Sequence, residues 1–291
     1  EMARASITGI SALSSFYMQI FGADENVHSD FGYASLMISS DTRGIDLVSE
    51  SIGYNWYSGE VRMNDCTETS DYTILAWNSN YRQIFAANAA LKSLDPATED
   101  PEIKFYIGQA HAFRAFDYLF LAQSYQFTYK GNEDKPCVML ITEENEEEVA
   151  ANGCPRSTVA DTYAQILSDC DKAIDYIKGS GLSPDKVLDS KPKRFFSLAA
   201  AYGLRARANL IMNNWQAAQA DAEAAIANFK GAPLSLAAAS QPGFSDISAS
   251  NWMLGIAIAP TDRVVGHRQL PEPHGLPLLR LLLSGRMAQG E

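Results

Sequence analysis

The stretch FFSLAAAYGLRARANLIMNNWQAAQADAEAAIANF, Phe195 to Phe229, holds two alanine-rich helical runs joined at Asn213-Asn214-Trp215. Ala206, Ala218, Ala222 and Ala225 follow one another at spacings of 12, 4 and 3, which sets small residues where two antiparallel helices would cross. The distance between crossing helices depends on the side chains at the contact, so small residues there have a steric cause. Trp215 stands at the turn and is expected to cover the junction. One such hairpin is also what an ordinary alanine-rich helical protein would contain. The fold therefore depends on whether the pattern recurs.

It does. Trp77, Tyr81, Ile84, Asn88 and Leu91 step by 4, 3, 4 and 3, one stripe of an amphipathic helix. Val159, Tyr163, Ile166, Cys170, Ala173, Ile174 and Ile177 form a second stripe, opened by an N-cap at Ser157 or Thr158. Between them, 105–125 is apolar on nearly every face. Such a helix is buried on several sides or lies in a membrane. Lys104, His111, Arg114 and Asp117 favour burial in a helical stack. The sequence thus predicts a mainly α protein of tetratricopeptide-like helix pairs, stacked into a right-handed superhelix with little sheet. Arrays of this kind are scaffolds for binding.

Helices are expected to about Ile20, then over 73–94, 102–125, 158–178 and the pair at 194–228. The region 22–70 reads as loop-rich and holds Asp30, Tyr33, Asp41, Asp46, Tyr54, Trp56 and Tyr57. Gly131, Pro136, Gly153 and Pro155 mark 126–157 as an insertion that splits one helix pair. Residues 179–192 read as a further loop.

Composition narrows the function. The chain has 291 residues, 46% hydrophobic content and a net charge of −12. That surface repels phosphate backbones and argues against nucleic acid as a partner. The acidic run Glu143-Glu144-Asn145-Glu146-Glu147-Glu148 is expected to decorate a solvated loop, and it lacks the alternating oxygen ligands of an EF-hand. No stretch reaches the roughly 18 apolar residues of a membrane span. Cys66, Cys137, Cys154 and Cys170 have no metal-ligand spacing. Cys170 sits on an apolar stripe and reads as core, while an oxidising compartment would let Cys137 and Cys154 staple the segment between them. The chain opens at Glu1-Met2-Ala3 inside an apparent helix, which suggests a processed or truncated start.

Catalytic chemistry finds no footing. His28 and His111 have no nucleophile motif near them, and neither a phosphate-cradling glycine loop nor a His-Glu-x-x-His pattern is present. The reading is therefore no catalytic residues, no metal and no cofactor. His111 reads as a hydrogen-bonded core residue. Arg114 and Asp117, at i and i+3, are expected to form an internal pair.

Several segments, in order, resemble the SusD/RagB family of outer-membrane nutrient-binding lipoproteins of Bacteroidetes. They are His28-Ser29-Asp30-Phe31-Gly32-Tyr33, Asp46, Tyr54-Asn55-Trp56-Tyr57, the stripe from Trp77 to Leu91, and Ala112-Phe113-Arg114-Ala115-Phe116-Asp117-Tyr118. Arg156-Ser157-Thr158, the pair at 194–228 and Trp252-Met253-Leu254-Gly255 complete the set. The resemblance covers about 6–263. It implies a lipid-anchored, extracellular lid on a TonB-dependent (SusC-like) transporter, capturing oligosaccharides or other nutrients. It also implies that the helical-repeat face docks the barrel while the loops of 22–70 face ligand. The family's lipid-modified cysteine and roughly the second half of a typical member lie outside this sequence. Asp30 and Asp46 match family framework positions, with capping or turn-forming roles. A tetratricopeptide adaptor gripping a peptide is the alternative. The long insertion and aromatic loops speak for the lid, because an adaptor predicts nearly continuous repeats.

Sugar rings stack their CH faces on aromatic side chains and offer hydroxyls to hydrogen-bonding groups. Tyr54, Trp56 and Tyr57, followed by Arg62 and Asn64, supply both and are the candidate carbohydrate-binding residues. Trp56 also reads as a core anchor packed under the helices.

The last segment is different in kind. Residues 264–291 contain no Phe, Trp, Tyr, Asn, Asp, Ile, Thr or Lys but seven Leu and three Pro. A proline-broken helix or a divergent tail would account for this. So would a shifted reading frame, because allowed codons for His267–His274, read one base later and continued into Gly275, spell Ile-Val-Asn-Phe-Pro-Ser-His-Met, which resembles the family. The tail is expected to pack poorly.

Overall fold

The computed structural model describes residues 1–15, 30, 32–44, 57–64, 66–188, 192–240 and 247–256. Among the described residues all regular structure is helical, apart from one antiparallel bridge between Pro136 and Thr158. The fold is the mainly α, tetratricopeptide-like one expected. The tail at 264–291, Asp46, Tyr54 and Trp56 lie outside the described residues. Two compact units are present, residues 1–13 with 80–230, and residues 14–79 with those from 231 onward.

The first unit is built on α5 (Pro101–Tyr125) and α7 (Val159–Ser180), with α1 (Met2–Leu13), the later part of α4 (Asp71–Ser93), α9 (Leu198–Ile211) and α10 (Trp215–Asn228) around them. The start of α5 follows from its first residues. Asp100 accepts the backbone N–H groups of Glu102 and Ile103, and Pro101 sits at N1, where no donor is needed. The run from Phe105 to Ala115 is then buried without a break. α7 is capped by Thr158, whose hydroxyl accepts Asp161 N–H at 3.0 Å, and its predicted stripe, Cys170 included, is entirely buried.

Gly108 sets the α5–α7 crossing. A Cβ there would lie 2.7 Å from Ile177 Cγ1, 3.1 Å from Ile177 N and 3.2 Å from Ala173 O. The two helices that the insertion separates in sequence thus pack directly on one another. α9 is brought in by a two-way clasp. Gln109 Nε2 donates to Phe196 O at 2.7 Å and its Oε1 accepts Phe196 N–H at 2.8 Å. The Phe196 ring meets Phe113 edge-on at 5.2 Å.

The α9–α10 hairpin exists, but its crossing differs from the alanine reading. Ala218 and Ala225 are buried at it, whereas Ala206 is only half-buried and Ala222 is exposed. Between the two buried alanines lies Asp221, held by Arg205 at 2.6 and 2.9 Å and by Asn209 at 3.1 Å. A polar clasp needs the helix side between the alanines, which small-residue spacing alone does not reveal. Trp215 does not cover the junction and is 60% exposed. Asn213 turns the chain in the left-handed region (φ 63°), and Asn214 N–H bonds Asn209 O at 2.8 Å.

The segment 126–157 is more ordered than an insertion reading suggests. Tyr81 and Asn88 donate to Met139 O and Ile141 O, and the Tyr118 hydroxyl donates to Ile141 O while accepting Ile141 N–H. The acidic run is largely solvated, as expected, but it is not all loop. Glu143 pairs with buried Arg114, and Glu146, Glu147 and Glu148 form the first turn of α6 (Glu146–Asn152), where the helix dipole favours negative charge. Cys137 and Cys154 are not joined, and all four cysteines are free thiols. The loop 179–192 contains a short helix, α8 (Pro184–Val187).

In the second unit, the region read as loop contains α2 (Gly32–Arg43) and α3 (Ser58–Arg62). α2 escaped the periodicity search because hydroxyls occupy its buried face. Ser35, Ser39 and Thr42 are buried there beside Leu36 and Ile38. Thr42 and Ser40 bond back to the carbonyls of Ser39 and Leu36, satisfying their own hydroxyls. α11 (Leu236–Ala239) belongs to this unit as well.

Candidate functional site

The candidate residues at 57–64 form one local structure. Tyr57 precedes α3, its ring stacked on Tyr72 at 5.8 Å and its hydroxyl 3.5 Å from Ser35 Oγ. Burial pushes the phenol up to about 12, partly opposed by the Ser35 hydroxyl, so the group stays neutral. Its ring is packed into the unit, beneath the turn that follows. Glu60 is fully buried and held by Arg43 at 3.1 Å, which ties α3 to α2. α3 then ends at Met63, in the left-handed region at φ 53°. Asn64 N–H returns to Gly59 O at 3.1 Å, closing the turn. Arg62, Met63 and Asn64 all face solvent.

The structure describes three of the five predicted residues. Arg62 and Asn64 are on an exposed turn, Tyr57 is beneath it as a support, and Tyr54 and Trp56 lie outside the described residues. A guanidinium and an amide held on a closed turn can donate to hydroxyls or carboxylates. Glu60 and Arg43, which hold that turn in place, were missed by the sequence reading. Their only signal was a pair of opposite charges 17 residues apart, which no helical period connects.

Later in the sequence, Gly255 belongs to a close contact. A Cβ there would lie 2.8 Å from Ile247 Cδ1 and 3.7 Å from Trp252 Cε3, so a larger residue would have to push the Ile247 side chain aside.

The strongest electrostatics are in the first unit. Arg114, 1% exposed, donates Nε to Asp169 Oδ2 at 2.9 Å, Nη2 to Asp169 Oδ1 at 2.7 Å and Nη1 to Asn88 Oδ1 at 2.7 Å, and also pairs with Glu143. His111 Nδ1 lies 2.8 Å from Asp169 Oδ1, and Gln165 donates to Oδ2 at 3.1 Å. Burial alone would raise the Asp169 carboxyl, but the His111 and Arg114 hydrogen bonds and the Arg114 charge hold it down at about 2. A His–Asp pair suggests general-base chemistry, yet the His111 hydrogen-bond partners among the described residues are Asp169 and Arg114, with no serine, threonine, cysteine or lysine for the imidazole to activate. Its role is the hydrogen-bonded core residue expected. No His/Cys/Asp/Glu cluster among the described residues could hold a metal, and no described helix is long and apolar enough to cross a membrane.

The expected Arg114–Asp117 pair is not formed. Helical side chains lean toward the N-terminus, so Arg114 reaches back to the level of His111 and away from Asp117. Asp117 is fully buried, and neither carboxyl oxygen has a hydrogen-bond partner. Burial raises its carboxyl well above 3.8. The native state therefore holds a proton that the unfolded chain releases above about pH 3.8. Stability falls as pH rises from there toward the native value, by about 1.4 kcal/mol per unit for this group alone. Asp117→Asn is expected to gain on wild type steadily over that window and to match its slope below it. Urea melts of both proteins from pH 3 to 8 measure this, and parallel pH profiles would refute it.

Comparison with known proteins accords with this architecture. Residues 29–210 match the SusD-like family described as "Starch-binding associating with outer membrane". Among solved structures, a SusD-like carbohydrate binding protein from Bacteroides vulgatus superposes with a TM-score of 0.73 at 22% identity, covering 90% of this chain and 52% of that one. A SusD superfamily protein from Bacteroides fragilis gives 0.67 at 25% identity, covering 90% and 56%. A laminarin binding SusD-like protein gives 0.51 at 22% identity, covering 76% and 42%. The chain thus spans about half the length of these solved structures, 52% and 56% of the first two. A search of curated proteins gives no match. With 182 of its residues inside the family match and its helix pairs arranged as in those structures, the chain belongs to the SusD-like (SusD/RagB) family.

Proposed function

We propose that this protein binds glycans outside the cell and passes them to a TonB-dependent, SusC-like transporter in the outer membrane. It is a binding protein without catalysis, and a lipid anchor on the precursor is its only attachment to the membrane. The observation that carries the reading is the family match over 29–210, which spans the aromatic segment 54–57 and the solvent-facing turn with Arg62 and Asn64. The rings of Tyr54 and Trp56 would stack on sugar faces, and Arg62 and Asn64 would bond hydroxyls, with Tyr57 as their support. The adaptor alternative gains nothing from the structure, because the ordered 126–157 segment interrupts the repeats it would require.

Calorimetric titration with malto- and laminari-oligosaccharides tests the function, and no binding to any glycan of a wider panel would refute it. Trp56→Ala is expected to weaken binding by roughly 1 to 3 kcal/mol, about 5- to 150-fold in Kd, with little change in melting temperature. If Trp56 is instead a core anchor, the same substitution costs roughly 3 to 5 kcal/mol of stability. A melting curve alongside the titration separates the two.

A further inference from the structure

We propose that Glu60 is a positioning residue for glycan binding: held inward by Arg43, it sets the direction in which Arg62 and Asn64 meet the sugar. The proposal rests on the glycan reading of that turn and adds what orients it. α3 and the residue before it are tied to α2 near both of its ends. The Tyr57 hydroxyl reaches Ser35 Oγ at 3.5 Å in the first turns of α2, and Glu60 Oε1 accepts Arg43 Nη2 at 3.1 Å at its last residue. Anchors near the two ends of one helix fix the direction of a short neighbour as well as its place.

Helical geometry carries that direction to the candidate ligand contacts. Each residue advances about 100° around a helix, so Arg62 stands about 200° from Glu60, on the far side of α3. Burying the Glu60 side chain, 0% exposed, therefore directs Arg62 outward. The end of α3 is closed: Met63 N–H bonds Glu60 O at 3.0 Å and Asn64 N–H bonds Gly59 O at 3.1 Å. A rotation of α3 that moved Glu60 would thus move Arg62 and Asn64 with it. The choice of an ion pair for this contact is informative. Desolvation offsets the attraction of a buried pair, and well-packed apolar residues of similar volume stabilise as well or better. What the carboxylate adds is direction, because it must face the guanidinium, whereas an apolar side chain packs in several orientations.

The test separates direction from stability. Arg43→Met with Glu60→Leu replaces the ion pair by apolar side chains and is expected to melt close to wild type. In titrations with the malto- and laminari-oligosaccharides it is expected to bind about 10-fold more weakly, the loss of one charge-assisted hydrogen bond. Arg62→Ala is expected to cost a similar factor, and adding it to the double variant should cost nothing further, because both remove the same contact. Glu60→Gln keeps the shape and an acceptor for Arg43, and is expected to retain most of the affinity. A double variant that melts far below wild type assigns the pair to stability and overturns the proposal. So does a stable double variant that binds like wild type, or losses from the pair and from Arg62 that simply add. A wild type that binds no glycan removes the glycan reading itself, and this proposal with it.

Discussion

Arg114→Met is expected to destabilise the protein by roughly 3 to 5 kcal/mol, because it leaves the Asp169 carboxylate buried and stripped of its cation. For a domain of this size that is a fall in Tm on the order of 10 °C. The pair joins α5 to α7, and Asn88 and Glu143 extend it to α4 and to the inserted segment, so the loss falls on the centre of the first unit. The sign of its pH dependence is fixed by Asp169. Its native carboxyl is held at about 2 against 3.8, so it contributes stability above pH 3.8 that is lost as pH falls toward 2. The gap between wild type and Arg114→Met should therefore be widest near neutrality and narrow in acid. Chemical denaturation at pH 7, 4 and 2.5 checks this. Equal gaps at all three would mean that Arg114 acts by packing alone. Adding Asp169→Leu to Arg114→Met should recover part of the loss, since the fully buried carboxylate is then gone and only the partly buried Glu143 is left without its cation.

Gly108→Val is expected to cost about 3 kcal/mol or more. The Cβ alone would sit 2.7 Å from the Ile177 side chain and within 3.2 Å of the α7 backbone at Ala173 and Ile177, and valine adds two further carbons. Overpacking of this kind typically costs 1 to 3 kcal/mol per site and more when backbone must move. Gly108→Ala should cost less, because alanine's better helix propensity returns about 1 kcal/mol. Ile177→Ala removes the nearest atom but leaves the backbone contacts. In a double-mutant cycle it should offset Gly108→Ala only in part. Urea melts of the four proteins read the coupling directly, and a stabilised Gly108→Ala would show that the crossing is looser than its geometry indicates.

By itself the sequence determined the helices whose apolar residues recur at a fixed period. The stripe from Val159 to Ile177, the largely buried helix over 105–125 and the hairpin at 194–228 were legible because helical geometry maps sequence spacing directly onto a face. Thr158 as a cap, His111 as a bonded core residue and Cys170 as core filler follow from the same local rules. α2 was hidden because Ser35, Ser39 and Thr42 line its buried side, and hydroxyls that find partners once buried, as Thr42 does on Ser39 O and Ser35 with the Tyr57 hydroxyl, still read as polar in sequence. Only the tertiary structure decided the partners. Arg114 chose Asp169, 55 residues away, over Asp117 one turn along, because side-chain direction and the neighbouring helix set the pairing. Gly108 marks a close approach of α5 to α7 that alanine spacing does not announce, since separation depends on which faces meet. The five candidate site residues were one motif in sequence. In space burial divides those described, taking Tyr57 into the packing and leaving Arg62 and Asn64 in water. Residue types and spacing specify what a side chain can do, but long-range packing specifies what it faces.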